Sequence, residues 1–209
     1  MVKRKKVAIF VDWENLRKGV FEEASKKYPT QISFNDPENS LQLIKSFIIS
    51  DEEEIYRIFF YLAEPFGGRL RGINYSQTPT YQHSMVFIEK LEAQELVAVR
   101  RGELVVRGFD QNADPIFVQK KVDMLLGLDI AHVSFNKLAD RIMVLCADTD
   151  IIPAMKTARI NGLQVIFGWC SDIQSEIRKD LKRHSDFIRD RKFQAIFPNA
   201  LQASAAAIP

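Results

Sequence analysis

The chain has 209 residues and carries 29 Lys and Arg against 27 Asp and Glu, so its formal net charge is only +2. Fifteen Phe, five Tyr and two Trp are enough to fill a sizeable core, which excludes a largely disordered chain. The chain has only two Cys, without a Cys-x-x-Cys pair, which excludes a disulfide framework and leads us to expect a cytoplasmic location. No apolar run approaches the roughly 18–20 residues that span a bilayer, so we expect no membrane partner.

Strands and helices alternate along the chain. Continuous apolar runs rich in β-branched residues predict strands that are buried on both faces, and apolar residues at helical spacing predict the helices between them. The predicted elements in chain order are strand 7–11, helices 14–28 and 40–49, strand 55–63, a loop at 64–79, helix 80–95, strand 96–107 with a turn near Gly102, helix 117–133, strand 142–147, helix 151–160, strand 163–167, a helix near 171–182 and a short segment at 187–188.

This alternation predicts one domain of the three-layer α/β/α class with a mostly parallel central sheet. We place the single domain at residues 1–192, because no Gly- and Pro-rich linker divides it. Residues 193–209 are predicted to form a poorly ordered C-terminal tail, since residues 199–209 are small, uncharged and rich in Ala.

Carboxylates follow two of the predicted buried strands. Asp12 comes directly after the first strand, and Asp148 and Asp150 follow a later one. Because ligands in an open α/β sheet bind at the carboxyl ends of its strands, we expect these side chains to meet. Clustered carboxylates repel one another, and a divalent cation such as Mg²⁺ or Mn²⁺ relieves that repulsion. A structural alternative is that Asp150 or Thr149 caps the helix that begins at Ile151.

Two further acids lie in the predicted helix 117–133. Asp123 interrupts an apolar stretch, and Asp129 falls on the apolar stripe that should face the sheet. An Asp in an apolar helical stretch is costly unless it is paired, so both positions are candidates for function. For Asp129, a buried hydrogen-bonding role and a catalytic role are both open.

These acids belong to three segments that together resemble the NYN domain, in the LabA-like branch of the PIN-like nuclease superfamily. The segments are 7–16 (VAIFVDWENL), 120–129 (KKVDMLLGLD) and 145–153 (LCADTDIIP). The family pattern is a strand ending in Asp-x-x-Asn, a helix with Lys-Gly-Val-Asp and a strand ending in Gly-Asp-Ser-Asp. The chain departs from this pattern at Lys121 and Ala147, where the family usually has Gly.

The resemblance implies a PIN-like fold and a metal-dependent nuclease that hydrolyses RNA, with single strands as the expected substrate. It implies that the catalytic residues Asp12, Asp123, Asp148 and Asp150 bind Mg²⁺ or Mn²⁺. It also implies that Asn15 hydrogen-bonds a ligand water or a phosphate.

Four neighbouring residues are assigned supporting roles. Lys120 and Lys121 lie beside Asp123 in the sequence and are expected to contact the substrate phosphate. Asp129 and Thr149 are expected to support the acids without binding the metal.

Two other functions are compatible with the sequence: a non-catalytic RNA-binding or regulatory module that keeps the fold, and a nuclease that acts on DNA. The basic stretches 3–6 and 178–192 and the loop with Arg69, Arg71 and Tyr75 suit a nucleic acid, although each is also typical of an ordinary solvated surface. The sequence does not determine the oligomeric state and is compatible with a homo-oligomer.

Overall fold

The structure, a computed structural model, describes residues 3–28 and 32–198. Its strands are β1 (Lys5–Asp12), β2 (Glu53–Glu64), β3 (Arg69–Leu70), β4 (Ile73–Asn74), β5 (Val97–Phe109), β6 (Pro115–Lys120), β7 (Arg141–Leu145), β8 (Gln164–Trp169) and β9 (Phe187–Asp190). The short strands β3 and β4 pair with each other, and the other seven form one sheet in the order β6–β5–β2–β1–β7–β8–β9. Neighbours in this sheet run parallel except β6, which is antiparallel to β5.

The helices connect these strands and cover both faces of the sheet. They are α1 (Trp13–Leu16), α2 (Glu23–Lys27), α3 (Pro37–Ser46), α4 (Pro79–Glu92), α5 (Val122–Phe135), α6 (Ile152–Ile160), α7 (Lys179–His184) and α8 (Phe193–Ile196). A π-helical segment, Arg17–Glu22, joins α1 to α2. Within the described part of the chain, no helix is both long and apolar enough to cross a membrane.

The sheet separates two hydrophobic cores. Alternate residues of β1 point to opposite faces, so that Val7, Ile9 and Val11 join one core and Ala8 and Phe10 join the other. Residues of α1, α3, α4 and α8 complete the first core, and residues of α5, α6 and α7 complete the second. The predicted three-layer α/β/α architecture with a mostly parallel sheet is therefore confirmed.

The predicted start of a helix at residue 117 is wrong, because Pro115–Lys120 form β6 and α5 begins only afterwards. Asp110 shapes the turn that leads into this strand: its carboxylate accepts hydrogen bonds from the amides of Asn112 and Asp114, both at 2.9 Å. The turn directs the following apolar residues back along β5 as an antiparallel partner.

The loop predicted at 64–79 and the turn predicted near Gly102 also differ from the structure. The loop contains β3 and β4, and its Arg71 stacks over the ring of Phe109 at 3.8 Å. β5 runs through Gly102 without a turn. A Cβ at Gly102 would lie 2.5 Å from the carbonyl oxygen of Lys120, so this glycine serves close approach of two strands.

The residues directly after the predicted boundary at residue 192 pack against the domain. Residues 193–196, placed in the predicted tail, form α8, and Phe193 and Phe197 are buried in the first core. Their apolar rings hold this segment against the sheet. The rest of the predicted tail, residues 199–209, lies outside the described residues.

A helix predicted near 171–182 is shorter than expected, since α7 begins only at Lys179. The preceding residues are held in a turn instead, where the side chain of Gln174 accepts a hydrogen bond from the amide of Cys170 at 2.8 Å. The amides of Ile173 and Gln174 close this turn by donating to the carbonyl of Cys170 at 3.1 and 2.8 Å.

A buried carboxylate links three strands of the sheet. Glu53, at the start of β2, is 1% exposed and accepts hydrogen bonds at 2.6 Å from Arg189 of β9 and Arg141 of β7. Burial alone would raise the pKa of Glu53, but the two guanidinium groups and the amide of Ile49 lower it to about 2. Arg189, which belongs to the basic stretch 178–192, is therefore a buried structural residue.

Candidate active site

The candidate site lies where the chain reverses its direction across the sheet. After β1 the chain places β2 on one side, and it later returns to place β7 on the other side. Such a switch point leaves a crevice at the carboxyl ends of the central strands, because the connections that follow them diverge. Asp12 ends β1 and Asp148 follows β7, so both acids lie at this edge.

Asp12 is buried and held in place by hydrogen bonds. It is 6% exposed, and one carboxylate oxygen accepts the amide hydrogen of Asn15 at 3.1 Å. The thiol of Cys146 donates to the other oxygen at 3.6 Å. Burial raises the pKa of Asp12, the Asn15 hydrogen bond opposes this, and the charge of Asp123 raises the pKa further.

Asn15 connects the two strand ends. Its side-chain Oδ1 accepts a hydrogen bond from the amide of Ala147 at 3.0 Å. Because a backbone N–H can only donate, this contact fixes the orientation of the side-chain amide and leaves Nδ2 as a donor. Asn15 lines the same cleft as Asp12 and Asp148, so this donor lies beside the acids.

Asp148 is the cap of the short 3₁₀ turn Thr149–Ile151. Its Oδ1 accepts the amide hydrogen of Asp150 at 3.1 Å, so the capping role proposed for Asp150 or Thr149 belongs to Asp148. Asp148 and Asp150 are both exposed, and Asp148 lines the cleft.

Asp123 joins the other acids from α5, which packs in the second core together with Ile151 of the turn that carries Asp148 and Asp150. It lies in the first turn of α5 and lines the same cleft as Asp12 and Asp148. Burial raises the pKa of Asp123, and the charges of Asp148 and Asp150 raise it further. Three of the four acids, Asp12, Asp123 and Asp148, therefore line one cleft, and the charge of Asp150 also acts on Asp123.

The cleft has a volume of about 1050 Å³. Besides the acids, it is bordered by α1, the first half of α4, and the adjoining ends of β5 and β6. Its apolar lining includes Trp13, Phe34, Leu62, Phe87, Leu104 and Phe117. Its other polar and charged lining consists of Glu14, Asn15, Arg17, Lys18, Asn35, Thr80, His83, Ser84 and Gln119.

The donor set at this site suits a hard divalent cation. Carboxylate oxygens are the ligands that Mg²⁺ and Mn²⁺ prefer. Burial and, to a lesser extent, repulsion between the acids raise the pKa values of Asp12 and Asp123, and bound positive charge would offset both effects. As the side chains stand, however, no group of three or more His, Cys, Asp or Glu residues within 3–28 and 32–198 is placed to hold a metal ion. The residues fit such a cation by their chemistry, and rotation of the exposed carboxylates is needed to enclose it.

Asp129 lies outside this cluster. Its Oδ2 accepts hydrogen bonds from the hydroxyl of Tyr61 at 2.9 Å and from the guanidinium group of Arg100 at 2.7 Å. Burial and the neighbouring Asp129 raise the pKa of Tyr61. Tyr61 pairs in register with Asp12 on the neighbouring strand. The geometry favours the buried hydrogen-bonding role for Asp129.

The two predicted substrate lysines lie beside the cleft rather than in its lining. Lys120 ends β6, and Lys121 adopts a left-handed conformation (φ 73°) immediately before α5. Lys121 forms an ion pair with Glu103. The structure thus brings Asp12, Asn15, Asp123 and Asp148 together but leaves these lysines at the edge of the site.

Sequence reasoning missed two basic residues that line the cleft, Arg17 and Lys18. Glu14 accepts hydrogen bonds from Arg17 at 2.9 Å and pairs with Lys18 at 2.8 Å. The available signal was their position in the sequence, just after the Asp-x-x-Asn motif that leaves the first strand end.

The other basic features are largely used within the fold. In the stretch 178–192, Arg191 donates to the carbonyl of Ser46 at 2.7 Å, and Lys182 pairs with Glu176 at 3.1 Å. These contacts leave less positive charge at this edge of the sheet than the sequence suggests.

A comparison with known protein families agrees with this architecture. The family model described as "NYN domain" matches residues 6–189. No curated protein matches the sequence. Among solved structures, the chain is similar to the nicotinamidase SaPncA from Staphylococcus aureus, with 13% identity, a TM-score of 0.31, and coverage of 94% of this chain and 95% of that chain. That similarity is too low to support an inference about function. Because the family model spans nearly the whole described domain, the chain belongs to the NYN domain family, within the PIN-like nuclease superfamily.

Proposed function

We propose that this protein is a divalent-metal-dependent nuclease that hydrolyses phosphodiester bonds of RNA, with single strands as its substrate. The observation that carries the proposal is the convergence of Asp12, Asp123 and Asp148, from three different elements, on one cleft. Clustered acids at a topological switch point are costly for folding unless they bind something positive. Membership of the PIN-like superfamily supports the same reaction class.

In this proposal Asp12, Asp123, Asp148 and Asp150 hold Mg²⁺ or Mn²⁺. The bound cation would activate a water molecule and stabilise the charge that develops on the scissile phosphate. Asp12 is buried and held by the amide of Asn15, so it keeps a constant position, whereas the exposed carboxylates of Asp148 and Asp150 can adjust.

The remaining residues of the site bind and orient the substrate. Nδ2 of Asn15 can donate to a phosphate oxygen or to a water, because its Oδ1 is occupied by the Ala147 amide. Arg17 and Lys18 line the cleft, and Lys120 and Lys121 lie at its edge. A substrate phosphate would compete with Glu14 for Arg17 and Lys18 and with Glu103 for Lys121. Thr149 helps to set the backbone between Asp148 and Asp150.

A cleavage assay tests the proposal. End-labelled single-stranded RNA is incubated with the protein in Mg²⁺, in Mn²⁺ or in a chelator, together with a matched DNA oligonucleotide. We expect the wild type to cleave RNA only when metal is present. The cleavage rate of Asp148→Asn should be lower by about 100-fold or more. Asp51→Asn is the matched control, because Asp51 is exposed on the turn before β2. Equal cleavage by the wild type and Asp148→Asn would assign the activity to a contaminant.

One observation favours the non-catalytic alternative: the acids within the described residues are not preassembled around a metal position. A module that only binds RNA would bind the labelled strand without cutting it at any metal concentration. Preferential cleavage of the DNA oligonucleotide would instead support the third function, a nuclease that acts on DNA.

We also place the protein in the LabA-like branch and in the cytoplasm. The Asp-x-x-Asn and Asp-x-Asp motifs support the branch. Cys146 and Cys170 are both free thiols, which suits a reducing compartment. A redox-sensitive thiol titration of the protein extracted from cells would test the location, with both thiols expected to be reduced.

A further inference from the structure

One wall of the cleft is a hairpin that extends beyond the parallel sheet. β5 pairs with β2 over residues 97–103 and with β6 over residues 103–109, so its second half leaves the central strands and continues as a two-stranded arm. We call residues 103–120 the hairpin arm. Directly opposite pairs on it are Leu104 with Gln119 and Val106 with Phe117, so these four side chains share one face. Leu104, Phe117 and Gln119 of this face line the cleft.

Phe117 is the aromatic platform on this face. Its ring lies 5.5 Å from that of Phe66 and 5.6 Å from that of Tyr75, and the Tyr75 contact is edge-to-face. These two rings fix the orientation of Phe117 from one side, while Phe117 itself remains only half-buried and lines the cleft. A ring held in this way can stack on a ligand with little loss of conformational entropy.

The wall opposite the arm belongs to α4 and presents hydrogen-bonding groups. Thr80, His83 and Ser84 line the cleft there, and Gln119 lines it from the arm. Among residues 3–28 and 32–198, none of these four side chains has a hydrogen-bond partner, and none is buried, so their donors and acceptors are available to a ligand in the cleft. Stacked rings of Trp13 and Phe87, 4.9 Å apart, contribute to the apolar lining between the walls.

The aromatic face of the hairpin arm and the hydrogen-bonding groups around it indicate the kind of ligand that the cleft can bind. An aromatic surface bordered by amide, hydroxyl and imidazole groups matches a nucleobase, which has an apolar face and a hydrogen-bonding edge. Four carboxylates line the same cleft (Asp12, Glu14, Asp123 and Asp148), and they disfavour an acidic ligand unless a cation accompanies it. A paired base keeps both faces stacked and its edge occupied, so only a base that has left its helix can use such a surface.

We infer that the hairpin arm and α4 form a subsite that holds one unpaired nucleobase, stacked on Phe117, beside the phosphodiester presented to the acids. The inference rests on the proposed nuclease function. It makes Phe117 and Gln119 determinants of specificity: the protein cuts where a base is free to enter the cleft. A duplex is cut only at loops, bulges and frayed ends.

The test uses short RNA strands that carry one 2-aminopurine, whose fluorescence is quenched when it stacks on an aromatic ring. Binding is measured in Ca²⁺ in place of Mg²⁺ or Mn²⁺, so that a divalent cation accompanies the RNA, and the probe strand is checked to be intact after the measurement. We expect the wild type to quench the probe and Phe117→Leu to lose the quenching, with affinity weaker by roughly five- to 100-fold. Leucine retains apolar contact with Phe66 and Tyr75, and Phe117→Tyr should restore both signals.

The matched control is Ile116→Ala. Ile116 is the preceding residue of β6, points to the other face of the arm and is 45% exposed. It should bind and quench as the wild type does. With metal added, Phe117→Leu should raise KM for the single strand by a similar factor, whereas Ile116→Ala should not.

The outcomes separate this subsite from the proposed function. A wild type that binds and quenches the probe but never cleaves in Mg²⁺ or Mn²⁺ supports the subsite and overturns the nuclease proposal. A wild type that cleaves, with Phe117→Leu unchanged in affinity and quenching, overturns the subsite alone. Equal cleavage of a fully paired duplex and a single strand also overturns it.

Discussion

Replacing Glu53 with Gln should destabilise the protein by about 3 kcal/mol at neutral pH. Arg189 is 9% exposed and Arg141 has a side-chain exposure of 14%, so both depend on the Glu53 carboxylate as their counter-ion. Removing one partner of a buried ion pair costs roughly 3–5 kcal/mol, because the other charge is left buried and uncompensated. The pKa of Glu53 gives an independent estimate. Its depression from 4.5 to about 2 corresponds to about 3 kcal/mol at about 1.4 kcal/mol per unit.

The pH dependence follows from the sign of this shift. The folded protein holds the pKa of Glu53 below its unfolded value, so the unfolded state takes up this proton first as the solution is acidified. The stabilisation is fully present above about pH 4.5 and is lost as the pH falls toward about 2. Glu53→Gln lacks the carboxylate, so the difference in unfolding free energy between wild type and variant should be constant near neutrality and shrink over this window.

Urea denaturation followed by circular dichroism at several pH values measures this difference. The matched control is Glu54→Gln, because Glu54 is the next residue of β2, has a side-chain exposure of 41% and forms only a 3.7 Å pair with Arg4. Exposed pairs contribute about 0–1 kcal/mol, so the control should change stability little. If the unfolding free energy of Glu53→Gln at pH 7 lies within about 1 kcal/mol of the wild-type value, or if the difference grows on acidification, the ion pairs of Glu53 do not stabilise the fold as described.

Three further variants test other contacts. Asn15→Ala should lower the cleavage rate by roughly 10- to 100-fold and cost about 1–2 kcal/mol in urea denaturation, because the Ala147 amide loses its acceptor and the cleft loses the Nδ2 donor; an unchanged rate would contradict the positioning role. Tyr61→Phe should cost about 1–2 kcal/mol in urea denaturation, because Asp129 loses one buried donor; no loss would show that this hydrogen bond contributes nothing net. Gly102→Ala should cost about 1–3 kcal/mol, because its Cβ would lie 2.5 Å from the Lys120 carbonyl oxygen; full stability would show that β6 can move away.

The strands that position the site could be predicted from the sequence because of their burial. β1, β7 and β8 are covered on both faces, so each reads as a continuous apolar run that ends where the polar edge begins. Asp12 and Asp148 were found by the same reasoning, since strand ends of a parallel sheet share one edge.

The hairpin arm could not be predicted in this way. Phe117 and its neighbours form an apolar run that merges with the run of α5, and the break between them is Lys121 in a left-handed conformation, a position where glycine is the usual signal. Without the arm, the cleft wall with Gln119 could not be inferred either. The amphipathic spacing of a helix and the alternation of a strand are hard to separate over so few residues.

The buried ion pairs that Glu53 forms with Arg141 and Arg189 could not be predicted from the sequence either. Glu53 and Arg189 are 136 residues apart, and each lies in a segment whose charge looks like ordinary surface. Only the order of the strands brings them together. The same holds for the ring contacts that orient Phe117, which join residues from β6 and from the segment around β3 and β4.

If an acid is catalytic because it lines the cleft, the two acids of α5 should differ in their effect on cleavage. Asp123 lines the cleft, whereas Asp129, in the same helix, binds Tyr61 and Arg100 instead. The measurement is the single-turnover cleavage rate of labelled single-stranded RNA in Mn²⁺ for Asp123→Asn and Asp129→Asn, each shown to be folded. We expect the rate of Asp123→Asn to fall by about 100-fold or more and the rate of Asp129→Asn to stay near that of the wild type. Wild-type cleavage by folded Asp123→Asn protein would contradict this expectation.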